Sequence, residues 1–502
     1  MFSVGADRQA SKMRLFVAAW AWAETMQILC LPTQFLTVPG WPLQGCVVWL
    51  FLRPRASAAL VAFLLAAFWR TVAIMPFVPN HLLFMLFINL ILLVSCIEQF
   101  CQNRTFHLDY AKLFAAFAPP ARTALLILYL FAVLAKLNTD YFNTDFSCAV
   151  VYISPFRIAD PSTSFASAVS QITIYASLGL EILIPVLLYF KTTRSIGVVI
   201  ALVFHLLLGL HPTLAIAVMP FTFCIFAILI LFLPDDWFRR ITARYKLISA
   251  RKPLCALACA IVIGLVFLNS ATVIASTEYF NAPFSYDRLV RLHTLVFIPN
   301  AMTAIWFLGF GILSYRSKTN LSVAGSSERH RSLAWLVLLL LIGNGMCPYI
   351  GLKTTTSMTM FSNLRTEKGL GNHQLIPTAV RIFEFQDQLA QVVESNDPLL
   401  QPYVESGDWL TVFELRRICN RQFESTTART YRLDFDGEHR MFKKLPPPPA
   451  NVYVGFQLNG RYYYESLGQP NTTAFEPLGF WERRFLAFRP ITNPHGPACC
   501  DH

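Results

Sequence analysis

Long apolar runs alternate with short polar connections over the first two thirds of the chain. The runs lie at 13–36, 41–53 merging into 57–77, 81–97, 121–138, 170–190, 195–211, 214–234, 253–276, 289–315 and 333–352. A helix of about 20 apolar residues crosses the hydrocarbon of a bilayer. The pattern therefore predicts an all-α polytopic membrane helix bundle with roughly ten transmembrane helices. Gly40–Leu52 is short for a span unless flanking residues join it, so the count is good to about one. From Lys353 onward no further spanning run follows, and Pro446 to Pro449 forms a stiff spacer. This tail reads as a small C-terminal α+β exoplasmic domain. Pro377 to Val393 carries helical periodicity, and two strand-like stretches, Val452 to Leu458 and Arg461 to Tyr464, flank Asn459-Gly460, a strong hairpin signal. The organisation expected is 1–237 and 238–352 in the membrane and 353–502 outside it.

Composition strengthens the membrane reading. Of 502 residues, 55% are hydrophobic and 14% charged, with a mean hydropathy of +0.49, so water is not the main solvent of this chain. The net charge of +12 sits in short loops rather than along one stripe, which argues against nucleic acid and for membrane lipid as the partner. Two strongly basic loops, Arg239 to Lys252 and Arg316 to Arg331, mark the cytoplasmic side. Lys191 and Arg194, and Arg53 and Arg55, fall on that side by alternation. The N-terminus is then cytoplasmic with a retained first helix, and the tail is exoplasmic, where Asn471-Thr472-Thr473 fits a glycosylation acceptor. The twelve cysteines read mostly as small buried hydrophobes, with Cys499-Cys500 a vicinal pair open to lipidation or oxidation. No internal repeat, phosphate loop, zinc-ligand spacing or nucleophile elbow is present, and no metal is expected.

Ionisable groups inside spanning segments are costly, so each is a functional candidate. They are Glu24, Arg70, Lys136, Glu181 and His205, with His81 at a helix mouth after Pro76 to Asn80. Glu24 and Arg70 read as a structural ion pair between the first helices. His205 reads as a core histidine bonded to a neighbouring helix. Glu181 continues a polar line through Thr173 and Ser177 at four-residue spacing, a hydrophilic face turned inward for packing, gating or chemistry. The topology puts His81 and Lys136 at one membrane depth. Lys136 alone reads either as a snorkelling interface lysine or as a desolvated general base. In the tail, Lys353, Arg365, Lys368 and His373 make a basic stretch that suits an acidic substrate or lipid headgroups.

Three stretches then resemble the vitamin K-dependent gamma-carboxylase family and its wider relatives, the horizontally transferred transmembrane (HTTM) domain proteins. Tyr129 to Tyr141 is similar to the family's Tyr-Phe-x-Ala-Gly-x-x-Lys-Leu-x-x-Asp-Trp segment, and Asn80-His81 falls where the carboxylases have an Asn-His pair. Arg194 to Gly197 and Phe204-His205 resemble their Arg-Ser-Ile-Gly and Phe-His. The match covers roughly residues 13 to 237. The resemblance implies an enzyme that couples quinol oxygenation to proton abstraction and carboxylation of an exported protein or peptide. Reduced vitamin K or another quinol would be the cofactor, Lys136 the quinol base and His81 its partner in carboxylation. Asn80, Tyr129, Glu181 and His205 would bind substrate or quinone. Val133 departs from the pattern's glycine, Ala135 from a second lysine in the animal carboxylases, Asn138 from an acid and Tyr141 from a tryptophan. The shorter tail looks like that of bacterial members of the wider family in Pro348 to Thr355, Met360 to Arg365 and Asn372-His373. The alternative reading is a non-enzymatic scaffold or a lipid- or quinone-binding protein of the same fold.

Overall fold

The computed structural model describes residues 2–30, 40–53, 55–153, 164–209, 215–234, 332–420, 453–466 and 478–496. The expected spans at 253–276 and 289–315, both basic loops, the Pro446 to Pro449 spacer and the Asn471 acceptor lie outside them. The described chain is mostly helical, with one small antiparallel sheet. Its first nine helices are α1 (Phe2–Cys30), α2 (Gly40–Leu52), α3 (Ser57–Ala73), α4 (Asn80–Asn103), α5 (Tyr110–Lys136), α6 (Cys148–Ile153), α7 (Ser164–Tyr189), α8 (Arg194–Gly209) and α9 (Ala215–Leu229). After them come α10 (Leu336–Met346), α11 (Gln401–Ser406), α12 (Val412–Cys419) and α13 (Phe480–Phe485).

Among the described residues three helices, α4, α5 and α7, are long and apolar enough to cross a membrane. Helices α2, α3 and α8, with the apolar helical segments Pro220–Phe232 and Leu333–Met346, are shorter. The doubtful second run is thus a helix of 13 residues, separate from the 17 of α3.

Helix ends follow local chemistry. Asp109 caps α5, its carboxylate accepting the N–H groups of Ala111 at 2.9 Å and Lys112 at 3.3 Å. The helix therefore starts well before the apolar run at 121 and carries Pro119 and Pro120 within it. At its other end Asn138, fully buried, donates to the Ala135 carbonyl at 2.8 Å and accepts from the Tyr141 N–H at 2.8 Å. One side chain thereby closes the helix and sets the turn that follows it.

Two compact units emerge, each drawing on segments distant in sequence. One comprises 1–70, 84–126 and 183–339; the other comprises 71–83, 127–182 and 340–502. In the first, Arg194 donates to the Leu188 and Tyr189 carbonyls at 3.0 and 3.3 Å, satisfying the last turn of α7. Gly197 lies so close that a Cβ there would stand 2.9 Å from Leu187 and Leu188. The Arg-Ser-Ile-Gly stretch thus builds the α7–α8 corner.

In the second unit the sheet has strand order β2-β1-β3-β4, all antiparallel, from β1 (Leu389–Ser395), β2 (Trp409–Thr411), β3 (Tyr453–Leu458) and β4 (Arg461–Ser466). It packs Ala390, Val392, Val454 and Phe456 against Leu400 and Tyr403 of the α11 region and Leu415 and Ile418 of α12. The hairpin forms as expected: Leu458 pairs with Arg461, and Asn459 and Gly460 take φ of 51° and 76°. Positive φ at both central residues is the type I′ turn signature. The helix expected over Pro377 to Val393 is not formed. That segment holds a single 3-10 turn at Thr378–Val380, then extended chain, then β1. Long-range hydrogen bonds replace the helical ones: Ile382 and Phe383 both donate to the Ile350 carbonyl, and Gln386 accepts from Lys368 N–H. Tertiary partners outcompete a periodicity that only weakly favoured helix.

The cysteine reading holds for Cys96, Cys224, Cys347 and Cys419, which are buried thiols. Cys148 departs from it and is disulfide-bonded.

Gly351 and Gly460 both have positive φ, but only at Gly351 would a Cβ run into a backbone atom, the Phe383 carbonyl oxygen. Gly460→Ala is expected to cost about 1–2 kcal/mol, the price of a left-handed L-residue. Gly351→Ala is expected to cost more, read as the larger drop in thermal midpoint of the solubilised full-length protein.

Candidate functional site

Lys136 ends α5 nearly buried, and its ammonium meets the Glu181 carboxylate of α7 at 2.8 and 3.1 Å. It also donates to the Met360 carbonyl at 3.4 Å and stands 5.9 Å from the centre of the Tyr141 ring. The polar line on α7 turns inward as expected. Ser177, one turn before Glu181, bonds the Tyr141 hydroxyl at 2.7 Å, and Thr173 bonds back to the Val169 carbonyl. Tyr129, buried on α5, lies in electrostatic reach of Glu181. The group beside Lys136 is thus a carboxylate, and the hydrogen bonds of Lys136 go to Glu181 and Met360 rather than to His81.

His81 and Lys136 are linked through the tail. The segment from Thr354 to Asn363 is largely buried although rich in hydroxyl groups. Thr356 donates to the Pro76 carbonyl at 2.8 Å, and the Met358 N–H donates to the Asn80 side chain at 3.0 Å, next to buried His81. Two residues on, Met360 receives Lys136. Asn138 donates to the Ser362 carbonyl, and Asn363 bonds the Phe146 carbonyl and the Cys148 N–H, both at 2.8 Å. Thr356, Met358, Phe361 and Asn363 all have φ between 48° and 61°. Left-handed backbone is costly for residues other than glycine and asparagine, and persists where surrounding contacts over-determine it. Here those contacts are the ends of α4 and α5.

The next stretch of the tail pairs with the turn after α5. Thr139 donates to the Asn372 carbonyl and Gln374 to that of Leu137, while the Asn372 side chain donates to Asp140 and to the Asn363 carbonyl, both at 2.8 Å. The His373 ring nitrogens are both used: Nε2 donates to the Leu134 carbonyl at 2.9 Å, and Nδ1 accepts from Leu375 and Ile376 N–H. This fixes the neutral tautomer.

The departures from the family pattern have local reasons. Val133 packs on the cluster of Tyr141, Cys148, Ile174 and Leu178. Ala135 is fully buried against Tyr349 and Leu364, where a lysine side chain has no room.

The other ionisable candidates divide. Glu24 and Arg70 pair at 3.5 Å in the first unit, with Asn89 donating to Glu24 at 3.2 Å and Trp20 to Asn89 at 2.7 Å. His205 belongs to that unit as well; its ring lies edge-on to Phe204 and Phe221, and its carbonyl accepts from Thr222 at 3.0 Å. It shares no unit with Lys136.

The basic stretch of the tail is largely consumed internally. Arg365 donates to the carbonyls of Gly496, Thr492 and Asn493, and Lys368 pairs with Asp387 at 3.7 Å. Lys353 makes no hydrogen bond or ion pair to described residues, and burial pushes its ammonium below the usual lysine value, with the Cys347 thiol opposing. A cavity of about 210 Å³ lies against Tyr349, Arg365, His373 and Thr378. Among the described residues no group of three or more metal-ligating side chains occurs.

Sequence reasoning missed Met360, Asn363 and Asn372 as builders of the site. Asparagine tolerates left-handed backbone, and Asn363 in a polar run was the one available signal. Comparison with known proteins finds no matching family model, and no significant match among curated proteins or solved structures.

Two outcomes are expected. Glu24→Leu alone leaves a buried unpaired arginine and is expected to cost about 3–5 kcal/mol, whereas Glu24→Leu with Arg70→Leu recovers most of it; thermal unfolding of the two variants checks this. Burial lowers the His373 pKa from 6.5, with the bond to Leu134 opposing. Its contribution is therefore full above that value and lost as pH falls below it. The thermal midpoint is expected to fall from pH 7 to pH 5, less steeply in His373→Gln.

Proposed function

We propose that this chain is a multi-pass integral membrane protein of the gamma-carboxylase-like HTTM family, with roughly ten spans, a cytoplasmic N-terminus and an exoplasmic tail. On this reading the Lys136–Glu181 pair is its acid–base centre. The observation that carries it is the pair itself: a nearly buried ammonium beside the Tyr141 ring, held by a carboxylate that is 13% exposed. The orientation is supported by the Cys148 disulfide at the start of α6, since disulfides persist in oxidising compartments.

The chemistry follows from the two groups. Within the pair the ammonium proton passes to Glu181, which leaves a free amine at Lys136 and a neutral acid beside it. The amine then takes the proton of an acidic hydroxyl, giving an oxyanion held against the re-formed ammonium. A lipid-soluble quinol such as reduced vitamin K fits this site by its hydroxyl groups and by the Tyr141 and Tyr129 rings nearby. When bound it supplies the oxidation by oxygen that drives carboxylation. Tyr141 flanks the amine, Glu181 holds the relayed proton, and the tail segment around Met360 excludes water from the pair. His81, at the head of α4 under the same segment, stands where an exported protein or peptide substrate arrives.

A second reading is favoured by one contact. Because Lys136 also holds the Met360 carbonyl, the pair is equally a clasp that fastens the tail to α5 and α7 in a non-enzymatic scaffold. Lys136→Arg separates the two, since it keeps the charge and the clasp but cannot give up its proton. The enzymatic reading expects oxygen-dependent oxidation of a reduced quinone by the purified protein, lost in Lys136→Ala and in Lys136→Arg with normal yield of the latter. Retained oxidation in Lys136→Arg, or none in the unaltered protein with any quinol, overturns it.

A further inference from the structure

Helix α13 displays an aromatic face that nothing in the described core uses. Phe480, Trp481 and Phe485 are 54%, 69% and 46% exposed. The rings are mutually ordered, with Trp481 stacked on Phe485 at 5.6 Å and edge-on to Phe480 at 5.2 Å. The exposure is not fraying. Leu478 before the helix and Leu486 and Phe488 after it are buried in one cluster with Phe413, onto which Leu352 and Phe385 pack. Glu482 caps the first turn by accepting the Gly479 N–H at 2.7 Å. A short helix is thus anchored on both flanks and made to present three aromatic side chains outward.

The position of that face says what it meets. Arg484 reaches the Val72 carbonyl, in the last turn of apolar α3, at 3.4 Å. The exposed aromatic surface of α13 therefore lies beside the last turn of an apolar helix. Arg483 and Arg484 stand among these aromatics. Aromatic rings with flanking arginines at the end of an apolar helix are the composition of the membrane–water boundary, where the ring sits at headgroup level and the cation meets phosphate.

We infer that α13 is a membrane-interface anchor, with Phe480, Trp481 and Phe485 entering the exoplasmic leaflet beside α3 and their occupant being phospholipid. This goes beyond the chemistry proposed above and rests only on its membrane reading. The anchor fixes the tail at the boundary on the side where α3 ends and α4 begins.

The test places a benzophenone amino acid at position 481 of the full-length protein and, separately, at Leu130, 61% exposed on α5. Both proteins are reconstituted into vesicles of phosphatidylcholine and phosphatidylglycerol, irradiated, and examined by mass spectrometry for lipid adducts. Adducts at both positions are expected. Adducts at Leu130 but not at 481 overturn the anchor and leave the membrane reading standing. Adducts at neither overturn both. Cross-linking of 481 to a second copy instead of lipid assigns the face to self-association and overturns the anchor.

Discussion

The structure of the second unit depends on satisfying a polar, non-helical segment away from water. Backbone groups buried without partners are costly, and the stretch from Thr354 to Asn363 brings many inside. The ends of α4 and α5 supply its partners: the Pro76 carbonyl, the side chains of Asn80 and Asn138, and the ammonium of Lys136. Further along the tail, His373 and Gln374 satisfy the Leu134 and Leu137 carbonyls at the end of α5. Remove that exchange and the left-handed residues at 356, 358, 361 and 363 lose what holds them.

Two buried ion pairs show what position does to the same chemistry. Glu24–Arg70 is enclosed, 1–2% exposed, with Asn89 and Trp20 fixing the carboxylate. Such a pair specifies packing between α1, α3 and α4. Lys136–Glu181 is the more open pair, Glu181 being 13% exposed, and its neighbours are aromatic rings and a backbone carbonyl.

How much of this was legible in the chain follows from the range of each signal. Apolar runs located α1 to α5 and α7 to α10, and Asn459-Gly460 located the hairpin to the residue, because both signals are local; α6 and α11 to α13 are short and fell on no expected run. The Glu24–Arg70 pair and the inward face of α7 were legible because charge and hydroxyl spacing inside an apolar helix leave few alternatives. The start of α5 was not, since the apolar run begins only at 121 while the helix begins at Tyr110, after the Asp109 cap. The non-helical course of 381–388 was hidden because its hydrogen bonds go to Ile350 and Lys368, distant in sequence. The partner of Lys136 was hidden likewise: Glu181 was a candidate and Lys136 was a candidate, but their meeting depends on how α5 and α7 pack.

The Met360 contact has a consequence for how the protein is made. Met360 lies 224 residues after Lys136, so ribosomes finish α5 and α7 long before the segment that covers them exists. During that interval the Lys136 ammonium lacks its Met360 contact, and the turn at Asn138 lacks its Ser362 and Asn372 partners. Completion of the site therefore waits for the tail. A chain that stops short of residue 360 carries every ionisable group of the pair yet leaves it unsealed, a defect that cellular quality control can read as an exposed charge.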